Sequence, residues 1–284
     1  MRRAGATALL LALAACSGGP GGGAPADDRL VVIGPSLVEL MCASGLEDAI
    51  VGVDRYSTWP PSVRTKPVVG GYADPSFEAI TGLRPTSLHV VGTSAPLAEL
   101  AGLLGIPLHS YRFDTLEDVF ASADTIRRLY GNGNDPGDGG GAASLSESLE
   151  AALDSIALSR AGLPPLSVLL VVYHEPGASS MTIAGRGTFL AGVLERLGCS
   201  VAAPASGGPW PVVSVEGVLD LAPDRVVGLF PDARDTSVVA AAESAFWSEL
   251  GWAPPLSSSL FDPFLLIPGA RIGETAGRLD RCLR

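Results

Sequence analysis

A ten-residue pattern that occurs twice constrains this chain more than any other feature of its sequence. Ser76-Phe77-Glu78-Ala79-Ile80-Thr81-Gly82-Leu83-Arg84-Pro85 is matched by Ser214-Val215-Glu216-Gly217-Val218-Leu219-Asp220-Leu221-Ala222-Pro223. The shared form is Ser, hydrophobic, Glu, small, hydrophobic, two variable residues, Leu, any residue, Pro. Each copy is followed by a hydrophobic strand-like run, Leu88 to Val91 and Arg225 to Leu229. A Ser that can cap a helix and a Pro that cannot continue one predict the same short unit twice: a helix that feeds a strand. Two such units, one in each half, call for a duplicated architecture.

The rest of the chain fits that frame. Short β-branched runs alternate with helical segments, the mark of an α/β fold. Leu30 to Ile33, Ile50 to Val53, Ser87 to Val91 and Leu108 to Tyr111 read as strands of the first half. Ser36-Leu37-Val38-Glu39 reads as a capping box opening a helix that stops at Gly45. A further helix is predicted from about Leu116 to Tyr130, before a Gly/Asn/Asp-rich loop, Gly131 to Gly141. Ser144-Leu145-Ser146-Glu147 offers a second capping box. Leu145, Leu149, Leu153 and Ile156 then mark one face of a helix running to about Gly162, ~28 Å long at 1.5 Å per residue. Beyond it Ser167 to Tyr173 is an almost wholly apolar run, as expected of a strand buried on both faces of a parallel sheet. The expectation is an α/β fold of two Rossmann-like lobes, each with a central, mainly parallel sheet, joined by a single long interlobe helix. The lobes span 29–142 and 164–284 and the helix 143–163.

Residues before the first lobe have a different character. Arg2 and Arg3 precede an apolar stretch, Ala6 to Ala15, too short to span a bilayer, and Leu13-Ala14-Ala15-Cys16 resembles the lipobox of bacterial lipoproteins. That resemblance implies cleavage before Cys16, a lipid on its thiol, and a Gly/Pro/Ala-rich tether over 17–28. The mature chain is then expected to be exported and periplasmic, touching a membrane through its anchor only. Of the remaining cysteines, Cys42 sits in an apolar helical run, and three thiols in an oxidising compartment allow one pair and one free residue.

Several functions are excluded or disfavoured. The net charge of -11, with no stripe of Lys and Arg, argues against nucleic acid. No Gly-x-Ser-x-Gly elbow, His-Glu-x-x-His or phosphate loop is present, so no enzyme is expected. His89, His109 and His174 lie in separate segments, without the close pair that metal sites use.

Together these segments resemble the solute-binding proteins of ABC importers whose lobes are joined by a rigid helix, the group handling vitamin B12, siderophores and haem. The likeness runs from about Leu30 to Cys282. It rests on Pro35-Ser36-Leu37-Val38-Glu39-Leu40, Gly52-Val53-Asp54-Arg55-Tyr56, Trp59-Pro60-Pro61, Val69-Gly70-Gly71-Tyr72 and the first repeat, then on Ala184-Gly185-Arg186-Gly187-Thr188-Phe189-Leu190, Pro209-Trp210-Pro211, the second repeat and Pro268-Gly269-Ala270-Arg271-Ile272. The resemblance implies that Glu78 and Glu216 dock onto Arg residues of a permease with its ATPase complex. It implies a ligand cleft between the lobes, bordered by Tyr56, Tyr72, Tyr173, Trp210, Asp262 and Phe264, and a corrinoid as the ligand, with no resident cofactor and a monomeric chain. It also implies a disulfide between Cys199 and Cys282. Haem is the nearest alternative ligand, with Tyr72, Tyr173 and His174 as its candidates; haem binders of the group, however, place the Tyr one residue further from the docking Glu. Siderophores prefer basic clefts, and Arg55, Arg186 and Arg271 are the visible candidates.

Overall fold

The apolar run Leu30–Ile33 (β1) is buried at every residue because it lies inside a sheet covered on both faces. Its neighbours are Ile50–Val53 (β2), Ser87–Val91 (β3) and Leu108–Tyr111 (β4), in the order β2-β1-β3-β4, all parallel. Parallel neighbours require crossovers, supplied by helices Pro35–Ala43 (α1), Phe77–Gly82 (α2) and Ala95–Leu104 (α3), while Leu116–Tyr130 (α4) follows the last strand. The computed structural model describes residues 27–131, 144–175, 178–249 and 257–284. Cys16, with its signal segment, lies outside them, as does most of the tether.

Helix Leu145–Ser159 (α5) follows, opened by the reciprocal bonds of Ser144 and Glu147 that the sequence predicts. It ends at Ser159, with Arg160 as its C-cap, rather than at about Gly162, which makes it about 22 Å long. Leu149 and Leu153 are buried, and Leu145 and Ile156 pack partly buried against the same core. The second sheet has the order β10-β9-β5-β6-β8, built from Ser167–His174 (β5), Ser180–Ile183 (β6), Val212–Ser214 (β8), Arg225–Leu229 (β9) and Ser257–Leu260 (β10). Ser200–Val201 (β7) pairs with β5 off this path. Strands β7, β9 and β10 run parallel to β5, whereas β6 is reversed and pairs antiparallel with both β5 and β8. Helices Phe189–Arg196 (α6), Val215–Leu221 (α7), Thr236–Glu249 (α8) and Ile272–Leu283 (α9) complete the element order. The chain is thus α/β, with two Rossmann-like lobes around mainly parallel sheets.

The repeat is structural. Ser76 caps α2 by accepting from the Ala79 amide, and Ser214 caps α7 by accepting from the Gly217 amide. The residues before the two prolines, Arg84 and Ala222, both carry positive φ, at 48° and 43°. Proline disfavours the right-handed helical region for the residue before it, so both copies leave their helix through the left-handed one.

Two further expectations are corrected, and one feature is added. The capping box at Ser36 is not made: α1 begins at Pro35 behind Gly34, whose φ is 127°, and it has no side-chain cap. A Cβ on Gly34 would stand 2.4 Å from the Val91 side chain, so the close approach of β3 requires glycine there. Glu39 is thereby released from capping, and it is buried. Strands β6 and β8 form an antiparallel margin that the hydrophobic pattern did not announce, because β8 has no fully buried residue and β6 only two. Finally, Cys199 and Cys282 are both free thiols. The Cys199 thiol faces the Leu197 carbonyl beside β7, and that of Cys282 bonds to Ser258 on β10. The two thiols thus have separate partners, and no S–S bond joins them. The C-terminal helix is held by polar contacts instead. The buried Arg160 donates to Asp280 and the Leu283 carbonyl, while Arg284 donates to Asp280 and to Ser159.

A single large core takes in residues of both sheets and of α4, α5, α6 and α9. A smaller cluster, including Val31, Ile33, Ile80 and Leu97, fills the other face of the first sheet. Gly192 on α6 lets Leu116 of α4 approach to within 2.8 Å of where a Cβ would stand.

Candidate functional site

In each repeat the capped first turn places the Glu on the surface. Glu78 and Glu216 are exposed, and neither makes an ion pair with another described residue. Exposed apolar side chains flank both: Phe77 beside Glu78, and Val212 and Leu219 beside Glu216.

In the first lobe the aromatic loops are built around a buried carboxylate, Asp54. It accepts from the Gly34 amide at 2.8 Å, the Tyr56 amide at 2.8 Å and the Ser57 hydroxyl at 2.6 Å. These bonds tie the end of β1 to the loop after β2 and turn Tyr56 outward. A tight reversal follows, in which Gly70, at φ 100°, bridges to Pro75. Tyr72 projects from this reversal and donates to the Thr93 carbonyl at 2.7 Å. Arg55 pairs with Asp74 at 2.6 Å, and the Tyr56 ring edge lies 3.4 Å from where a Cβ on Gly71 would stand. The structure therefore brings Tyr56 and Tyr72 onto adjoining loops.

In the second lobe the Ala-Gly-Arg-Gly and Pro-Trp-Pro segments fold against each other. The Gly185 amide donates to the Pro209 carbonyl at 2.8 Å, and the Ile183 amide donates to Pro211 at 3.0 Å. A Cβ on Gly185 would meet the Gly208 carbonyl at 2.6 Å, so only glycine permits that packing. Across the sheet Tyr173 pairs with Thr182, which pairs with Val212, two residues from Trp210. Tyr173 and Trp210 thus share one margin of the sheet. The Tyr173 hydroxyl donates to Glu175, and that bond holds the phenol's pKa above its ordinary value. Tyr56, Tyr72, Tyr173 and Trp210 are 63%, 46%, 58% and 42% exposed. Large aromatic rings normally help to fill a core, so four left open on loop and strand ends mark a surface built for contact.

Asp262 and Phe264 are engaged within the protein. Asp262 accepts from Arg278 at 2.6 Å, and the buried Phe264 stacks under the Arg271 guanidinium at 4.8 Å. His174 is also internal: it bonds to Glu243 through Nδ1 at 2.8 Å and packs 4.3 Å from the Phe246 ring. Among the described residues no group of His, Cys, Asp and Glu is arranged to hold a metal ion.

One cluster escaped the sequence reading. Arg271 pairs with Glu39 of α1, and its guanidinium also stacks on Trp59, 4.7 Å from the ring centroid. Burial pushes the Glu39 carboxyl above its ordinary pKa, against the pull of Arg271. The partners are 232 residues apart, and Glu39 carries a plausible local role as a capping residue, so nothing in the neighbouring sequence signals the contact.

No protein-family model matches the chain. By sequence it is 28% identical over 264 residues to a cobalamin-binding protein of Halobacterium salinarum, a match covering 89% of this chain and 68% of that protein. It is 28% identical over 238 residues to a vitamin B12-binding protein of Salmonella typhimurium, covering 82% of this chain and 83% of the relative. By structure it is similar to the periplasmic vitamin B12-binding protein of Vibrio cholerae, with a TM-score of 0.71 at 20% identity, covering 90% of this chain and 96% of the other. A periplasmic heme-binding protein of Pseudomonas aeruginosa aligns with a TM-score of 0.69 at 26% identity, covering 89% and 91%. These proteins are binding proteins, not enzymes.

Proposed function

We propose that this chain, which stands by sequence and fold with the solute-binding proteins of ABC importers, captures a corrinoid between its lobes and delivers it to a permease. The observation that carries the ligand reading is the set of four exposed aromatic residues, Tyr56 and Tyr72 in the first lobe and Tyr173 and Trp210 in the second. A corrin is broad, flat and partly apolar, and rings presented from two sides suit its faces. The relatives named for cobalamin and vitamin B12 support the same ligand. Haem is the second reading, favoured by the heme-binding neighbour at 26% identity. It asks for an axial donor, and the candidates are occupied: Tyr72 bonds to Thr93, Tyr173 to Glu175, and His174 to Glu243. Asp262 and Phe264 border the cleft and act by holding neighbouring side chains.

Delivery rests on Glu78 and Glu216, exposed at matched positions and flanked by apolar side chains. Two carboxylates on two lobes set the orientation of the loaded protein on its permease and speed its association. In this reading the chain is exported, and a lipid on Cys16 keeps it, as a monomer, beside the membrane.

The test is calorimetric titration of residues 28–284 with cyanocobalamin, haemin and a ferric siderophore. One-to-one binding of cyanocobalamin, lost in Trp210→Ala, is expected. Binding of haemin alone would replace the ligand and retain the class.

A further inference from the structure

The cluster around Arg271 is assembled from both lobes. Glu39, on α1, and Trp59, in the loop after β2, come from the first; Phe264, Gly269 and Arg271, after β10, come from the second. The guanidinium is held on three sides. The Trp59 ring lies at 4.7 Å and the Phe264 ring at 4.8 Å, and one Glu39 oxygen accepts from both Nε and an Nη nitrogen. Gly269 makes room for this carboxylate, because a Cβ there would stand 2.7 Å from its second oxygen. That second oxygen is buried without a partner among the described residues, so Arg271 alone answers the charge of Glu39. Glu274 is the other charged group felt by Glu39.

The position of the cluster in the chain matters more than its strength. Trp59 lies three residues beyond Tyr56, in the loop organised by Asp54. Phe264 lies two residues beyond Asp262, in the segment tied to α9 through Arg278. A guanidinium clamped between Trp59 and Phe264 therefore fixes one cleft-bordering loop of the first lobe against one of the second. We propose that Arg271 is a positioning residue: an interlobe strut that holds the ligand-free cleft at its binding width without touching the ligand. The proposal rests on the cleft assignment above for its binding readout, and on the fold alone for its geometric one. Apparent affinity falls in proportion to the fraction of molecules whose cleft is competent, so release of the strut should weaken binding through association and leave dissociation unchanged.

Arg271→Met alone strands a buried carboxylate and tests stability as much as position. The informative protein is the pair Glu39→Gln with Arg271→Met, made in the full chain and purified in detergent, in which no unpaired charge remains. Two measurements are made on it and on the wild type. Spin labels on a ketone-bearing amino acid at exposed Ser62 and Asp220, which leave the native cysteines untouched, report the ligand-free interlobe distance. Stopped-flow mixing reports association and dissociation of cyanocobalamin. The expected result is an unchanged thermal midpoint, a broadened ligand-free distance distribution, and an association rate lower by on the order of tenfold, as when about one molecule in ten keeps a competent cleft. A distribution as narrow as wild type in the folded pair overturns the strut. So does a loss confined to dissociation, which would make Arg271 a ligand contact. If the wild type does not bind cyanocobalamin, the ligand reading fails, and the distance distributions still decide the strut.

Discussion

Acid should weaken this protein through one buried histidine, His89, and the size of the effect follows from its surroundings. His89 lies on β3, fully buried, with its ring stacked 4.8 Å from His109. Nδ1 is 3.0 Å from the Tyr111 hydroxyl, and Nε2 lies 2.9 Å from Ser87 and 2.7 Å from Tyr130. The neutral ring satisfies every one of these contacts. Burial, then the neighbouring His109, push its pKa down to about 3 from an ordinary 6.5. Between those values protons bind the unfolded chain and not the folded one, so stability is intact above pH 6.5 and is lost as pH falls toward 3. The loss reaches about 5 kcal/mol when pH is below both values and about 2 kcal/mol at pH 5. The figure at pH 5 depends almost wholly on the unfolded-state value, because the folded value lies well beneath it. His89→Gln keeps a polar partner for the hydroxyls and removes the titration. Urea unfolding of both proteins from pH 7.5 to 5, without ligand, should show the wild type losing about 2 kcal/mol more than the variant. His109 titrates in both proteins and cancels. Parallel pH profiles for the two would refute the reasoning.

Two further predictions concern the surface and the thiols. Glu78→Ala and Glu216→Ala should each change stability by no more than about 0.5 kcal/mol, since both side chains are exposed and unpaired among the described residues. Cyanocobalamin affinity should be unchanged in both while uptake into permease-containing vesicles falls, most in the double variant; an equal loss of affinity would end the docking assignment. Unfolded under non-reducing conditions, residues 27–284 should release three titratable thiols from Cys42, Cys199 and Cys282, whereas a single thiol would restore the disulfide. In the native state Cys42 should react slowly, because burial, then Glu47, push its thiol up to about 12.

What could be read from the sequence was what neighbouring residues decide among themselves. The two Ser-capped helices, the prolines behind them and the apolar runs of β1, β3, β5 and β9 all carry their signal within ten residues. The aromatic residues became candidates only through the family resemblance, which Pro-Trp-Pro and the double glycine before Tyr72 help to carry. Glu39 shows where such reading fails. Spaced three residues after Ser36, it satisfies a capping pattern, yet Gly34 at φ 127° starts the helix earlier and leaves the carboxylate to a partner 232 residues away. The Cys199–Cys282 pairing was implied by the family resemblance rather than by neighbouring residues, and both thiols are free in the structure.

The same long-range contacts bear on how a ligand could be exchanged. A hinge between two independent lobes would need a boundary that few contacts cross, but here one core runs through α4, α5, α6 and α9 and joins residues of both sheets. Opening that boundary would expose apolar surface at ~25 cal/mol per Å², and would separate the buried pair of Glu39 and Arg271. The exposed aromatic rings carry no such restraint. Tyr56 and Trp210 project from loops whose backbones are tied down while their side chains stand in solvent. In the proposed function, capture would then proceed by side chains and loop tips closing on a cleft of nearly fixed width. Glu78 and Glu216, on α2 and α7, are carried by this joined frame, so in the proposed docking role their spacing should change little when a ligand is added. On that proposal a permease would recognise the loaded form by contacts near the cleft mouth and not by a change in the distance between Glu78 and Glu216.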